Sequence, residues 1–182
     1  MNMHRQLFAF LIVFIALTIT PTNAFSAAGI TVGIAELPKD LAAIQACRRT
    51  AYEGQSNLLT AAKSFCNADQ IQRDGYVCAI AKARDGTVIG TADLNKRTGV
   101  VNNVYVLKEA RKQGIGQLLM EAVEDALEKP NTLKLTVYSS NKPAVNLYQK
   151  LGFVAPGIYS GLMGLSSATS INFLLEMEKK LA

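Results

Sequence analysis

Histidine is almost missing from this chain: the 182 residues contain one, His4, and it sits in an apolar leader. A protein processed behind that leader has no imidazole. That excludes a Ser-His-Asp or Cys-His nucleophile arrangement and any zinc site built on histidine. Tryptophan is absent and cysteine is scarce, with Cys47, Cys66 and Cys78 standing 19 and 12 residues apart and forming no Cys-x-x-Cys pair. An odd, widely spaced set of three argues against a disulfide scaffold. Charge is modest too: 19 Lys plus Arg against 14 Asp plus Glu give +5, or +4 once residues 1–24 and their Arg5 are removed. Such a balance suits an anionic small ligand and gives no nucleic-acid footprint, because the basic residues form scattered pairs without interleaved aromatics. Arg48-Arg49, Lys96-Arg97 and Lys179-Lys180 read as solvated surface charge; Arg111-Lys112 is the exception. What is present is a hydrophobic fraction of 49%, enough for a core and incompatible with a disordered chain. Chemistry must therefore come from backbone groups, hydroxyls, amides and carboxylates.

Residues Leu7–Thr20 form an apolar run after Arg5, closed by Pro21-Thr22-Asn23-Ala24. A basic start, a short apolar stretch and a small-residue end predict a cleavable secretory signal peptide over 1–24. The run is shorter than the roughly 20 residues a bilayer span needs, so no stable span is expected after processing. The Ala24-Phe25 junction, followed by a short stretch to Gly29, resembles the two-part presequences of algae with complex plastids. It favours delivery through the secretory route to a plastid stroma. Secretion, or retention in the endomembrane lumen, is the competing destination.

From residue 30 to 182 the chain reads as one α/β domain without internal repeats. Ile30–Glu36 is β-rich, and Pro38 and Asp40 open a helix carrying Leu41, Ile44 and Ala51. Residues 54–74 are polar and helical at best, with Leu58, Leu59 and Phe65 as core candidates. Tyr76–Ala83, Thr87–Leu94 and Val100–Leu107 read as a meander punctuated by Asp85-Gly86 and Lys96–Gly99. Ile115, Leu118, Leu119, Ala122, Val123, Ala126 and Leu127 recur with helical period until Pro130. Leu133–Tyr138 is a strand, Pro143–Leu151 a helix ending at Gly152, and β segments around Phe153–Tyr159 and Ile171–Glu178 close the domain.

Between the third meander strand and the strong helix lies Arg111-Lys112-Gln113-Gly114-Ile115-Gly116. Glycines at a helix start let backbone N–H groups and the positive end of the helix dipole approach an anion, and Arg111 and Lys112 add charge. The spacing is neither a Rossmann fingerprint nor a P-loop. Downstream stands Asn141-Lys142-Pro143-Ala144-Val145-Asn146-Leu147-Tyr148-Gln149-Lys150-Leu151-Gly152-Phe153.

Taken together, R-x-x-G-x-G on a helix start and N-x-x-A-x-x-L-Y-x-K-x-G-F resemble the acetyl-CoA-binding half of the GNAT superfamily of N-acetyltransferases, sharply over residues 100–154. The resemblance implies a mixed, largely antiparallel sheet of about six to seven strands flanked by about four helices. It implies acetyl-CoA as cosubstrate, an amine acceptor that is a small molecule or a protein, and no metal. It also implies roles. Val104, Tyr105 and Val106 would run beside the pantetheine arm, with an N–H there polarising the thioester carbonyl. Arg111 would add charge to the cradle, and Lys112, Gln113, Gly114, Ile115, Gly116 and Gln117 would hold the pyrophosphate. Asn141 would bond the arm, and Tyr148 would face the sulfur as the catalytic acid. Asn103 matches an Asn of the bacterial ribosomal-protein alanine acetyltransferases, which this chain resembles, as it does plastid-type protein N-acetyltransferases. Where those bacterial enzymes carry a strand glutamate, this sequence has Thr136. Tyr138, Asp93 and Glu53 are then the candidates for a general base, with water and backbone as the alternative. A CoA-binding sensor module without chemistry is the rival reading.

Overall fold

The computed structural model describes residues 29–52, 68–128, 131–155 and 173–181. The leader, the segment 25–28, Glu53, Leu58, Leu59, Phe65, Cys66 and residues 157–170 lie outside them. The elements are β1 Thr31–Ile34, α1 Leu41–Tyr52, β2 Tyr76–Lys82, β3 Val88–Asn95, β4 Val100–Val106, α2 Ile115–Asp125, β5 Thr132–Tyr138, α3 Lys142–Lys150 and β6 Leu174–Lys180. The strands form one sheet in chain order, antiparallel everywhere except between β4 and β5.

Two expectations are adjusted. α1 starts at Leu41 rather than Pro38, because residues 36–40 close a turn in which Asp40 Oδ2 accepts from the Glu36 N–H at 2.9 Å. Among the described residues there are three α-helices; of the 54–74 stretch residues 54–67 lie outside the described ones, and the described remainder holds a 3-10 turn at Asp69–Gln72. Of the β segment expected around Phe153–Tyr159, residues 156–159 lie outside the described ones, and Val154 bridges to Glu178; the described strands number six.

Alternation along the strands sorts the core onto two faces. Ala79, Ala81, Ala92 and Leu94 face α2, whose Ile115, Leu119, Met120 and Val123 are buried against them. Cys78, Ile80 and Val88 face Ile44 and Cys47 of α1. β5 and β6 send Leu133, Leu135, Val137, Leu175 and Met177 to the α2 and α3 side. The other face of β5 carries Lys134, Thr136 and Tyr138 exposed, a pattern in which one side of the sheet is covered and the other open. None of the described helices is long and apolar enough to cross a membrane.

The feature that positions the site is the junction of β4 and β5. Their registered contact is one parallel pair, Val100 with Lys134, supported by the Lys134 N–H donating to Gly99 O at 2.8 Å. Beyond it the two strands part, and the backbone from Val104 to Val106 runs along a gap.

Candidate functional site

β4 leads through a 3-10 turn, Lys108–Ala110, into the glycine-containing loop and α2. Lys112 and Gly114 both adopt left-handed backbone, with φ of 63° and 78°. Such residues placed between ordinary ones turn successive N–H groups toward one side and make an anion-binding concavity. Among the described residues, the N–H groups of Lys112, Gln113, Gly114, Ile115 and Gly116 make no hydrogen bond, while Gly114 O already accepts from Gln117 N at 3.0 Å and Leu118 N at 3.1 Å. Five adjacent donors at the positive end of an 11-residue helix form a cradle for phosphate.

The side chains expected to assist are engaged differently. Arg111 turns back, its Nε donating to Val106 O at 3.0 Å, and so straps the loop to β4. Gln113 Nε2 reaches Glu109 O at 3.4 Å, Gln117 Nε2 reaches Glu121 Oε1 at 2.9 Å, and the Ile115 side chain is core. Lys112 alone among them is an exposed cation without a described partner. The cradle is therefore a backbone device. Gly116 has a second reason to be glycine: a Cβ there would stand 2.9 Å from Leu147 Cδ2, so α2 and α3 touch at this point.

That contact brings α3 beside the cradle. Asn141 is its N-cap, with Oδ1 accepting from Ala144 N at 3.3 Å, which leaves the amide nitrogen for a ligand. Tyr148 is 6% exposed, with its ring centroid 5.8 Å from that of Phe153. Burial pushes its phenol up to about 12, so it stays protonated at any working pH. None of the hydrogen bonds among the described residues uses its hydroxyl. The thiols behave alike: Cys47 and Cys78 are free and buried, and burial pushes Cys47 up to about 11.

The base candidates fare unequally. Tyr138 stands 53% exposed on the open face of β5. Asp93 is wholly buried and paired with Arg48, whose Nη2 donates to Oδ1 at 2.5 Å. Arg48, read from sequence as a surface charge, is buried as well. Its signal was its place four residues after Ile44 on the apolar side of α1, and that of Asp93 was its place inside an apolar strand. Glu176 was also missed. It lies across from Thr136 in the β5–β6 register, and both line a groove of about 260 Å³ with Val100, Lys134 and Glu178. No group of side chains able to hold a metal ion occurs among the described residues.

A backbone cradle beside a strand that has lost its neighbour fits a phosphorylated ligand with an extended, amide-bearing arm. The model of the acetyltransferase (GNAT) family matches residues 41–153, and the chain belongs to that family. A curated relative, an N-alpha-acetyltransferase of Sulfurisphaera tokodaii, is 40% identical over 60 residues, which are 31% of this chain and 36% of that protein. The match thus spans about a third of the relative's length. Two solved structures are similar in fold. PH1933 from Pyrococcus horikoshii has a TM-score of 0.63 at 21% identity, over 84% of this chain and 99% of that one. The ribosomal-protein-S18-alanine N-acetyltransferase from Escherichia coli has a TM-score of 0.61 at 23% identity, over 84% and 94%. The mixed α/β sheet with its three described helices is the fold of this family.

Gly114→Glu tests the cradle. No protein atom lies within 4 Å of a Cβ built at Gly114, so a side chain meets only the ligand's space, at a φ that costs about 1–2 kcal/mol for a non-glycine. The folded variant is expected to lose at least about 100-fold in CoA affinity by calorimetry, from like charge added to that strain. Unchanged affinity places the diphosphate elsewhere.

Proposed function

We propose that this protein transfers the acetyl group of acetyl-CoA to a primary amine, with a peptide or protein α-amine as the acceptor class. The observation that carries the reading is the run of unpartnered N–H groups at 112–116, set next to the gap beside Val104–Val106. The cradle takes the pyrophosphate, and the exposed amide of Asn141 and the edge of β4 take the pantetheine arm, as an added strand would be taken. The donor supplies an activated acyl thioester. An N–H of β4 stabilises the negative charge that develops on its carbonyl oxygen when the amine attacks.

The choice of acceptor follows from proton bookkeeping. An α-amine, with a reference pKa of about 7.7–8.0, is partly neutral near neutral pH, whereas lysine at about 10.4 requires a strong base or desolvation. Position 136 carries no carboxylate, and Glu176 across from it offers a solvated one to the proton that the amine releases. Tyr148 donates a hydrogen bond to the departing sulfur. Burial keeps the phenol protonated, pushed up to about 12, so its hydroxyl is present as a donor when the thiolate leaves. The hydroxyl therefore lowers the barrier by charge-assisted hydrogen bonding, and solvent completes the protonation.

Incubation with acetyl-CoA and two peptide sets, one with a free α-amine and blocked lysines and one the reverse, tests the activity by mass spectrometry. Acetylation of the first set at least about 10-fold faster is expected. CoA binding without turnover of any amine would instead mark a sensor module. In the same assay Tyr148→Phe should lose roughly 10- to 100-fold in kcat with little change in CoA affinity. A wild-type rate with chemistry limiting would make Tyr148 packing alone.

We further propose that residues 1–24, with the Ala24-Phe25 junction, send the enzyme through the secretory route to a plastid. A fluorescent fusion to residues 1–40 is expected in the plastid, and Phe25→Asp should divert it. Accumulation of the unaltered fusion in the medium rejects this address.

A further inference from the structure

Asp93 is the centre of a buried polar network that the acetyl-transfer chemistry does not touch. One oxygen takes Arg48 Nη2; the other accepts from Gln70 Nε2 at 2.9 Å and from Asn103 Nδ2 at 2.8 Å. Among the described residues, Arg48 Nε and Nη1 are buried without a hydrogen-bond partner. A buried ion pair with two unsatisfied donors is a poor stabiliser, and apolar residues of similar size do as well or better in such places. Stability does not account for it.

What the network does hold is Asn103. This residue stands at the irregularity in the β3–β4 register, where the residues between Asn102 and Tyr105 oppose only Ala92 between Asp93 and Thr91. Its φ is 50°, a left-handed conformation that asparagine tolerates. Its side chain is tied to Asp93, and its carbonyl accepts from Thr91 Oγ1 at 3.2 Å. The peptide that follows is planar and trans, so the Val104 N–H points opposite to that carbonyl. With the carbonyl turned to Thr91 on β3, the N–H is turned away from β3, into the gap that β5 has left.

We propose that Asp93, clamped by Arg48 and Gln70, is a positioning residue that acts through Asn103 to aim the Val104 N–H at the acyl carbonyl; the inference rests on the acetyl-transfer reading. It explains why two opposite charges are retained at core positions of α1 and β3. It also gives both carboxylate oxygens a task, holding a backbone turn.

Two variants separate positioning from folding. Asn103→Gly keeps the left-handed backbone, since glycine adopts it freely, and removes the tie to Asp93. The double variant Arg48→Met with Asp93→Leu replaces the ion pair by apolar volume. Melting temperature, CoA affinity by calorimetry, and kcat and KM for the amine are measured on each. Both are expected to melt within a few degrees of the wild type and to bind CoA within about 3-fold, because the cradle is untouched, while kcat falls roughly 10- to 100-fold. If the double variant fails to fold, Asn103→Gly decides alone. Turnover of Asn103→Gly at the wild-type kcat, or a loss of CoA affinity as large as the loss of kcat, overturns the positioning role and leaves acetyl transfer standing. Absence of turnover in the wild type itself overturns both.

Discussion

Strands β4 and β5 meet at Val100 and Lys134 and then separate, and the chemistry of this fold follows from that parting. A parallel pair that stayed in register would satisfy the backbone of Val104–Val106 with protein partners and leave no edge for a ligand arm. Where the strands diverge, the N–H groups of Val104 and Val106 have no registered β5 partner, and an extended amide-bearing chain matches their spacing. Beside the parting lies the groove lined by Val100, Lys134, Thr136, Glu176 and Glu178.

Everything else keeps that edge in place. On one side of the sheet α2 buries Ile115, Leu119, Met120 and Val123 against the meander, which directs its unpaired N-terminal donors to the end of the gap. The Arg111 strap from the loop to Val106 O ties the cradle to the strand it serves. On the other side the Arg48–Asp93 pair lies under the β4 irregularity. The described residues include no histidine, and the donors exposed at the start of α2 are peptide N–H groups. Those groups do not titrate and need no salt-sensitive cluster of lysines.

Much of this arrangement was legible in the residues. Gly114 and Gly116 after a β run and before a helical apolar stripe marked the cradle, and Asn141 to Phe153 marked the adjoining helix. Periodicity located α2 because its apolar positions repeat over three turns, although Met120 joined the core beyond the expected stripe. Arg48 and Asp93 were misread because a charge on one helix and a charge on one strand, 45 residues apart, announce a pair only when the fold brings them together. Thr136 and Glu176 met with the same difficulty: cross-strand register carries a side chain to a site that no local spacing reveals. Backbone conformation was equally hidden, since nothing in the letters distinguishes Lys112 at φ 63° from any other exposed lysine.

The account stands or falls on where a CoA thioester lies along the chain. Amide NMR spectra recorded while acetyl-CoA is added would report this residue by residue. The account predicts saturable shifts at Lys112, Gln113, Gly114, Ile115 and Gly116 and at Val104 and Val106, with β1 and β2 unmoved. Saturable shifts confined to other elements, with the 112–116 amides unchanged, would contradict it.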